Sequence, residues 1–167
     1  NEWMYRDDPT AGNKRTFTFS FWTKKGITQG AGDPYLMSQG SDARFHYAGD
    51  TVRFMFDGSS TELEHDAKLR DPSAWYHIVL AVDTTQGTNT NRVKLYINGV
   101  QRAWNNSDWP SQNAESTWMS TTDMYIGTRD GDGDYDSSAY HADFCVIDGT
   151  AYAASDFGEF DEDSGIW

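Results

Sequence analysis

The sequence predicts an all-β fold, a two-sheet antiparallel sandwich, on three observations. Trp, Tyr and Phe make up 15% of the chain, while Gly is frequent and runs of Ala, Leu, Glu and Lys are scarce. Several segments alternate apolar and polar residues with the period of two that a half-buried strand requires. Turn signals recur between them at short intervals. The 167 residues suit one domain spanning 1–167, large enough to bury a core without metals or disulfides.

Each element follows in order. "RTFTFSFWTKK" places Phe17, Phe19 and Phe21 on one face and Thr16, Thr18, Ser20 and Trp22 on the other. "PYLMSQG" and "ARFHYAG" read as short strands, and "TVRFMFDG" alternates again before an Asp-Gly turn. The polar stretch "SSTELEHDAKLRDPSA" leads into "WYHIVLAVD", whose centre is apolar on both faces and therefore predicts a central strand covered on both sides. "NRVKLYINGVQRA" turns at Asn98-Gly99, two residues that tolerate positive φ, and so predicts a hairpin. "WNNSDWPSQNAEST" is a long polar loop, "DMYIG" a short strand and "YHADFCVIDG" a last long one. One helical turn fits "AASDFGEF", ahead of an acidic, solvated tail. The expected core includes Phe19, Phe54, Ile78, Leu80, Leu95, Ile97, Phe144 and Val146.

Charge and cysteine usage narrow the function classes. Asp and Glu outnumber Lys and Arg by 26 to 13, and a net charge of −13 repels nucleic-acid backbones and anionic membranes. No apolar run approaches the ~18 residues of a membrane span, so membrane insertion is not expected. The one cysteine, Cys145, lies in "FCVI" and reads as a buried small hydrophobe.

The order of motifs is more specific than the fold class. "WYHIVLAVD", a polar loop, "VKLYINGV", then "YIG" ahead of "DFCVIDG" resembles the laminin-G-like, concanavalin A-like superfamily, over nearly the whole chain. Within it, "AGNKRTFTFSFWTKKG", "RDPSAWYHIVLAVDTTQ", "NRVKLYINGVQ", "PSQN" and "SDFGEFDEDSGIW" are similar to segments of marine bacteriophage virion proteins. The resemblance implies a jelly-roll sandwich, a place in a tail fibre, spike or capsid decoration, and self-association as a homo-oligomer, for which a trimer is natural in a fibre. It also implies other virion proteins as partners, a virion-surface location after assembly in the host cytoplasm, and one module of a longer chain or one compact member of the group.

Glucanases of this superfamily carry E-x-D-x-x-E on one strand, which sets two carboxyls about 5 Å apart for a retaining mechanism. Here "ELEHDAK" lacks an Asp two residues after Glu62, and "EFDEDSG" offers Glu159 and Asp161 but Ser164 in the acid's place. No catalytic residue is assigned and the chain is expected not to be an enzyme. His46, His65, His77 and His141 are scattered; His141, Asp143 and Cys145 share a strand face by spacing, which a face beside a core explains without a thiol site.

Two loops have binding chemistry. "RDGDGDYD" sets Asp130, Asp132, Asp134 and Asp136 at alternate positions, hard oxygen ligands for calcium at about 2.4 Å, or else a solvated turn. It is not an EF-hand, since Tyr135 and His141 stand at the Gly and Glu positions. Sugar binding calls for aromatic faces beside amide groups, and Trp104, Trp109 and Trp118 with Asn105, Asn106 and Asn113 supply both. Trp109 reads as a loop anchor and Trp104 as the ligand candidate. The expected site is thus a rim of Trp104, Asn105, Asp132 and Asp134 binding a neutral host-surface glycan. The first functional reading is a non-catalytic structural and adhesive virion module. The alternative is a free-standing or enzyme-attached carbohydrate-binding module, with a glucanase third.

Overall fold

The computed structural model describes all residues except 1, 2, 8, 27–32, 59, 60, 66, 107 and 130–134. The described residues form eleven strands: β1 (Met4–Arg6), β2 (Thr16–Lys24), β3 (Tyr35–Gln39), β4 (Ala43–Ala48), β5 (Thr51–Met55), β6 (Glu62–Glu64), β7 (Tyr76–Asp83), β8 (Val93–Ile97), β9 (Val100–Arg102), β10 (Met124–Ile126) and β11 (Tyr140–Asp148). Two antiparallel sheets result, β1-β10-β3-β4-β5-β6 and β11-β2-β7-β8-β9, a jelly-roll sandwich as expected. β7 is the centre of the five-stranded sheet, as its apolar run predicted. One 3-10 turn, Ala154–Asp156, stands where a helical turn was expected.

Alternation decides what fills the space between the sheets. Phe17, Phe19 and Phe21 of β2, Ile78, Leu80 and Val82 of β7 and Val93, Leu95 and Ile97 of β8 face Met37, Phe45, Phe54 and Leu63 of the other sheet. All are at most 4% exposed. Trp118 enters from a loop and wedges between Phe19 and Phe54, with ring centroids 5.0 and 5.9 Å away. Its indole N–H would be orphaned there, and it donates to the Met55 carbonyl at 2.8 Å. The β8–β9 turn puts Asn98 at φ 48° and Gly99 at φ 76°, the conformation that Asn-Gly favours.

Two expectations about β11 are corrected by a bulge and a third by the strand's place at the sheet edge. Between the pairs Ala142↔Trp22 and Cys145↔Ser20, Asp143 and Phe144 together oppose Phe21, and Asp143 takes a φ of 50°. The extra residue breaks the face that His141, Asp143 and Cys145 were expected to share. Phe144 stacks on Phe21 at 4.5 Å and 4°, beside the core as predicted. Cys145 is exposed, and Val146, opposite Phe19 on an edge strand with no further neighbour, is 36% exposed and outside the core.

The segment after β11 folds back over the outer side of the five-stranded sheet. Thr18 donates its hydroxyl to the Thr150 carbonyl at 2.8 Å and accepts from the Tyr152 N–H at 2.9 Å. Trp167 ends the segment against His77. The tail's carboxylates are exposed as expected, yet the tail is held at both ends.

Candidate functional site

Trp104, the aromatic face of the expected rim, is not presented to solvent. Trp104 is 9% exposed, belongs to the core, pairs with His65 in an isolated bridge and donates its indole N–H to the Val93 carbonyl at 2.9 Å. Both donor and ring are consumed by packing, so Trp104 anchors its loop as Trp109 does beside it. Asn105 is exposed, with its backbone N–H bonded to the Glu64 carbonyl at 2.7 Å. Asn106 ties the same loop to β6 through the Glu62 carbonyl and the Glu64 N–H. Asp130, Asp132 and Asp134 lie outside the described residues, and Asp136 is half-buried. Among the described residues no group of three His, Cys, Asp or Glu could hold a metal ion.

A different surface carries exposed aromatic faces. β1 pairs with β10 at one margin of the six-stranded sheet, with Tyr5 opposite Tyr125, so period two places Trp3, Tyr5 and Tyr125 together. Tyr5 and Tyr125 stack at 5.7 Å and 17°. Trp3 meets Tyr5 at 5.5 Å and Tyr125 edge-on at 5.7 Å. Trp3 is 39% exposed and Tyr5 55%. The Tyr125 hydroxyl donates to Asp123 Oδ2 at 3.4 Å, which sets a hydrogen-bonding group at the platform's side.

The same outer face continues in register as Ser38, Arg44, Met55 and Glu62, and in the next row as Tyr35, His46, Arg53 and Glu64. Arg53 bridges Glu62 at 3.1 Å and Glu64 at 2.8 Å, so the carboxylates nearest to a glucanase pattern neutralise one guanidinium. His46 stacks on Tyr35 at 5.4 Å, and burial, against the attraction of Asp33, lowers its pKa to about 4. In the tail, Ser164 donates through its hydroxyl and N–H to Asp161 Oδ1, both at 2.7 Å, and holds that carboxyl below its usual range.

Sequence reasoning passed over the platform because β1 is three residues long and opens a polar segment. The signal was present: Trp3 and Tyr5 stand two apart, the spacing of one strand face.

The comparisons agree on the fold. A family model described as the concanavalin A-like lectin/glucanases superfamily matches residues 5–150. No curated protein matches the chain. Among solved structures, Trypanosoma rangeli sialidase is 17% identical at a TM-score of 0.58, over 85% of this chain and 22% of its own. Domain 4 of a GH43 extracellular arabinanase from Geobacillus stearothermophilus, in complex with arabinotriose, is 15% identical at 0.54, over 84% of this chain and 64% of that one. The binding domain of botulinum neurotoxin serotype D is 11% identical at 0.57, over 86% and 36%. This chain thus spans about a fifth of the sialidase, and identities this low speak for the fold alone. With the family match covering most of its length, the chain belongs to the concanavalin A-like lectin/glucanases superfamily.

Proposed function

We propose that the chain is a non-catalytic carbohydrate-binding module that takes a neutral glycan on the platform of Trp3, Tyr5 and Tyr125. The observation that carries this reading is a cluster of three contacting rings at one sheet margin, with Trp3 and Tyr5 exposed. Pyranose C–H surfaces stack on such faces, and the hydroxyl of Tyr125 with the Asp123 carboxylate offers partners to sugar hydroxyls. The net charge of −13 disfavours sialylated or sulfated ligands. The engagement of Glu62 and Glu64 by Arg53, and of Asp161 by Ser164, supports a non-catalytic role. A solved structure of the same fold is a complex with arabinotriose, which supports the sugar class but not a particular sugar.

The setting suggested by the sequence motifs is a bacteriophage virion, in a tail fibre, spike or capsid decoration, where a homo-oligomer would multiply weak sugar contacts. A glycan array should give signals on neutral oligosaccharides that vanish in both Trp3→Ala and Tyr5→Ala. A blank array for the wild type, or signals that survive both substitutions, would refute the platform. Sedimentation at high concentration tests the oligomer separately, and a strict monomer would refute it.

A further inference from the structure

On the outer side of the five-stranded sheet, His77 stands between two partners whose roles fix its protonation. Trp167 Nε1–H can only donate, and it lies 2.9 Å from His77 Nδ1, so that nitrogen must be the acceptor. The proton of the neutral ring therefore sits on Nε2, 3.1 Å from the Ser20 hydroxyl, which accepts it. The two rings also stack at 5.7 Å and 17°. Trp167 is seated on glycine: a Cβ at Gly99 would fall 2.1 Å from its ring, and one at Gly158 would fall 2.9 Å away.

We propose that segment 157–167 is a proton-sensitive latch, held on the sheet while His77 Nδ1 is free to accept and released when that nitrogen gains a proton. A protonated Nδ1 points an N–H at the indole N–H, so attraction becomes donor–donor repulsion, while the bond to Ser20 survives. The rest of the tail stays anchored through Thr18, which does not titrate. The surroundings of His77 favour the neutral ring. From β2 come Ser20, Trp22 and, further along the face, Lys24, which lies over Tyr140. On β8 the titratable side chains of this face are Lys94 and Tyr96. The tail adds Phe157 and Trp167 in ring contact and Asp156 and Glu159 beyond them. Burial lowers the pKa of His77, and Asp143 of β11 opposes it more weakly. A ring harder to protonate when covered than when free is held less firmly as pH falls below the ordinary value of 6.5.

The chain as it stands gives the test. Its Trp167 indole N–H resonance, assigned by its loss in Trp167→Phe, and the exchange of amides 157–167 are followed from pH 7.5 to 5.0. Exchange in the tail, corrected for the intrinsic pH dependence, should rise several-fold, while the amides of Val79 and Leu80 stay protected. His77→Gln, whose side-chain carbonyl can accept but gains no proton, should remove the acid response. Unchanged tail exchange in the wild type, or the same acid response in His77→Gln, would overturn the latch. If His77→Gln opens the tail at every pH, Trp167→Phe decides: it should respond little to acid, and a full response there overturns the proposal.

Discussion

The two sheets put their outer aromatic residues to opposite uses. On the six-stranded sheet Trp3 and Tyr5 remain open to solvent, with Tyr125 between them. On the five-stranded sheet Trp22, His77, Phe157 and Trp167 are joined in contacts that hold the chain's last residues in place. The difference follows from coverage. β7 is apolar on its outward side as well, with Val79 fully buried and Ala81 5% exposed, and such a face must be roofed. The margin of β1 is polar in sequence and carries rings that can both stack and hydrogen-bond. One surface is used for cohesion, and the other is free to bind.

Acid should give the largest effect, and on both sheets. His46 lies on the outer side of the six-stranded sheet and His141 on β11, near Phe21 and Phe144. Burial lowers each pKa to about 4 from 6.5. The folded state therefore takes up these protons later than the unfolded state. The stability they contribute is complete above pH 6.5 and is lost as pH falls toward 4, about 2–3 kcal/mol for each by pH 4.5. Urea titrations at pH 7.5 and 4.5 should differ accordingly. His141→Phe, in its apolar niche, should remove close to half of the difference. Stability that is flat across this window would mean that neither histidine is as buried as the structure has it.

Ile97→Ala comes next, because it cuts into the floor that both faces share. The side chain is 4% exposed in the core, and its loss should cost about 2–5 kcal/mol by chemical denaturation. A cost below about 0.5 kcal/mol would place Ile97 on the surface.

How much of this was legible in the sequence follows from the range of each interaction. The alternating runs of β2, β5 and β8 and the Asn98-Gly99 turn are local patterns, and all stand where expected. β1 and β6 were not visible, because three residues give no period to read and their pairing is supplied by β10 and β5. The fate of Trp104 depends on His65 and Val93, residues 39 and 11 positions away, so its burial could not be read from its own loop. The bulge at Asp143 reversed the outlook of Cys145 for the same reason: one extra residue shifts every later side chain, and only the partner strand records it. Trp167 ended an acidic run, and its seat is made by Gly99 on the hairpin as well as by its neighbour Gly158.

Gly99 gives the third and smaller effect. Its φ of 76° disfavours a side chain, and an added Cβ would meet the Trp167 ring at 2.1 Å. Gly99→Ala should cost about 1–3 kcal/mol and raise exchange in 157–167 at neutral pH. In a Trp167→Ala background the clash disappears and only the backbone strain is left, so the substitution should then cost less. Equal costs in the two backgrounds would mean that the tail is not seated on the hairpin.

The smallest effect on stability should belong to Trp3→Ala, and it separates the two faces most clearly. Trp3 is 39% exposed and lies beside a three-residue margin strand, so its ring contributes contact with Tyr5 and Tyr125 but closes no part of the core. Its removal should change unfolding free energy by no more than about 0.5 kcal/mol, the range of surface substitutions. Affinity for a neutral oligosaccharide found on the array should nevertheless fall at least about tenfold by calorimetry, since one good stacking surface is worth about 1.4 kcal/mol or more. Trp167→Ala should do the reverse, loosening the tail at unchanged affinity. If instead Trp3→Ala destabilises the fold by several kcal/mol, the platform is a structural cluster like the one around Trp167, and the contrast between the two faces disappears.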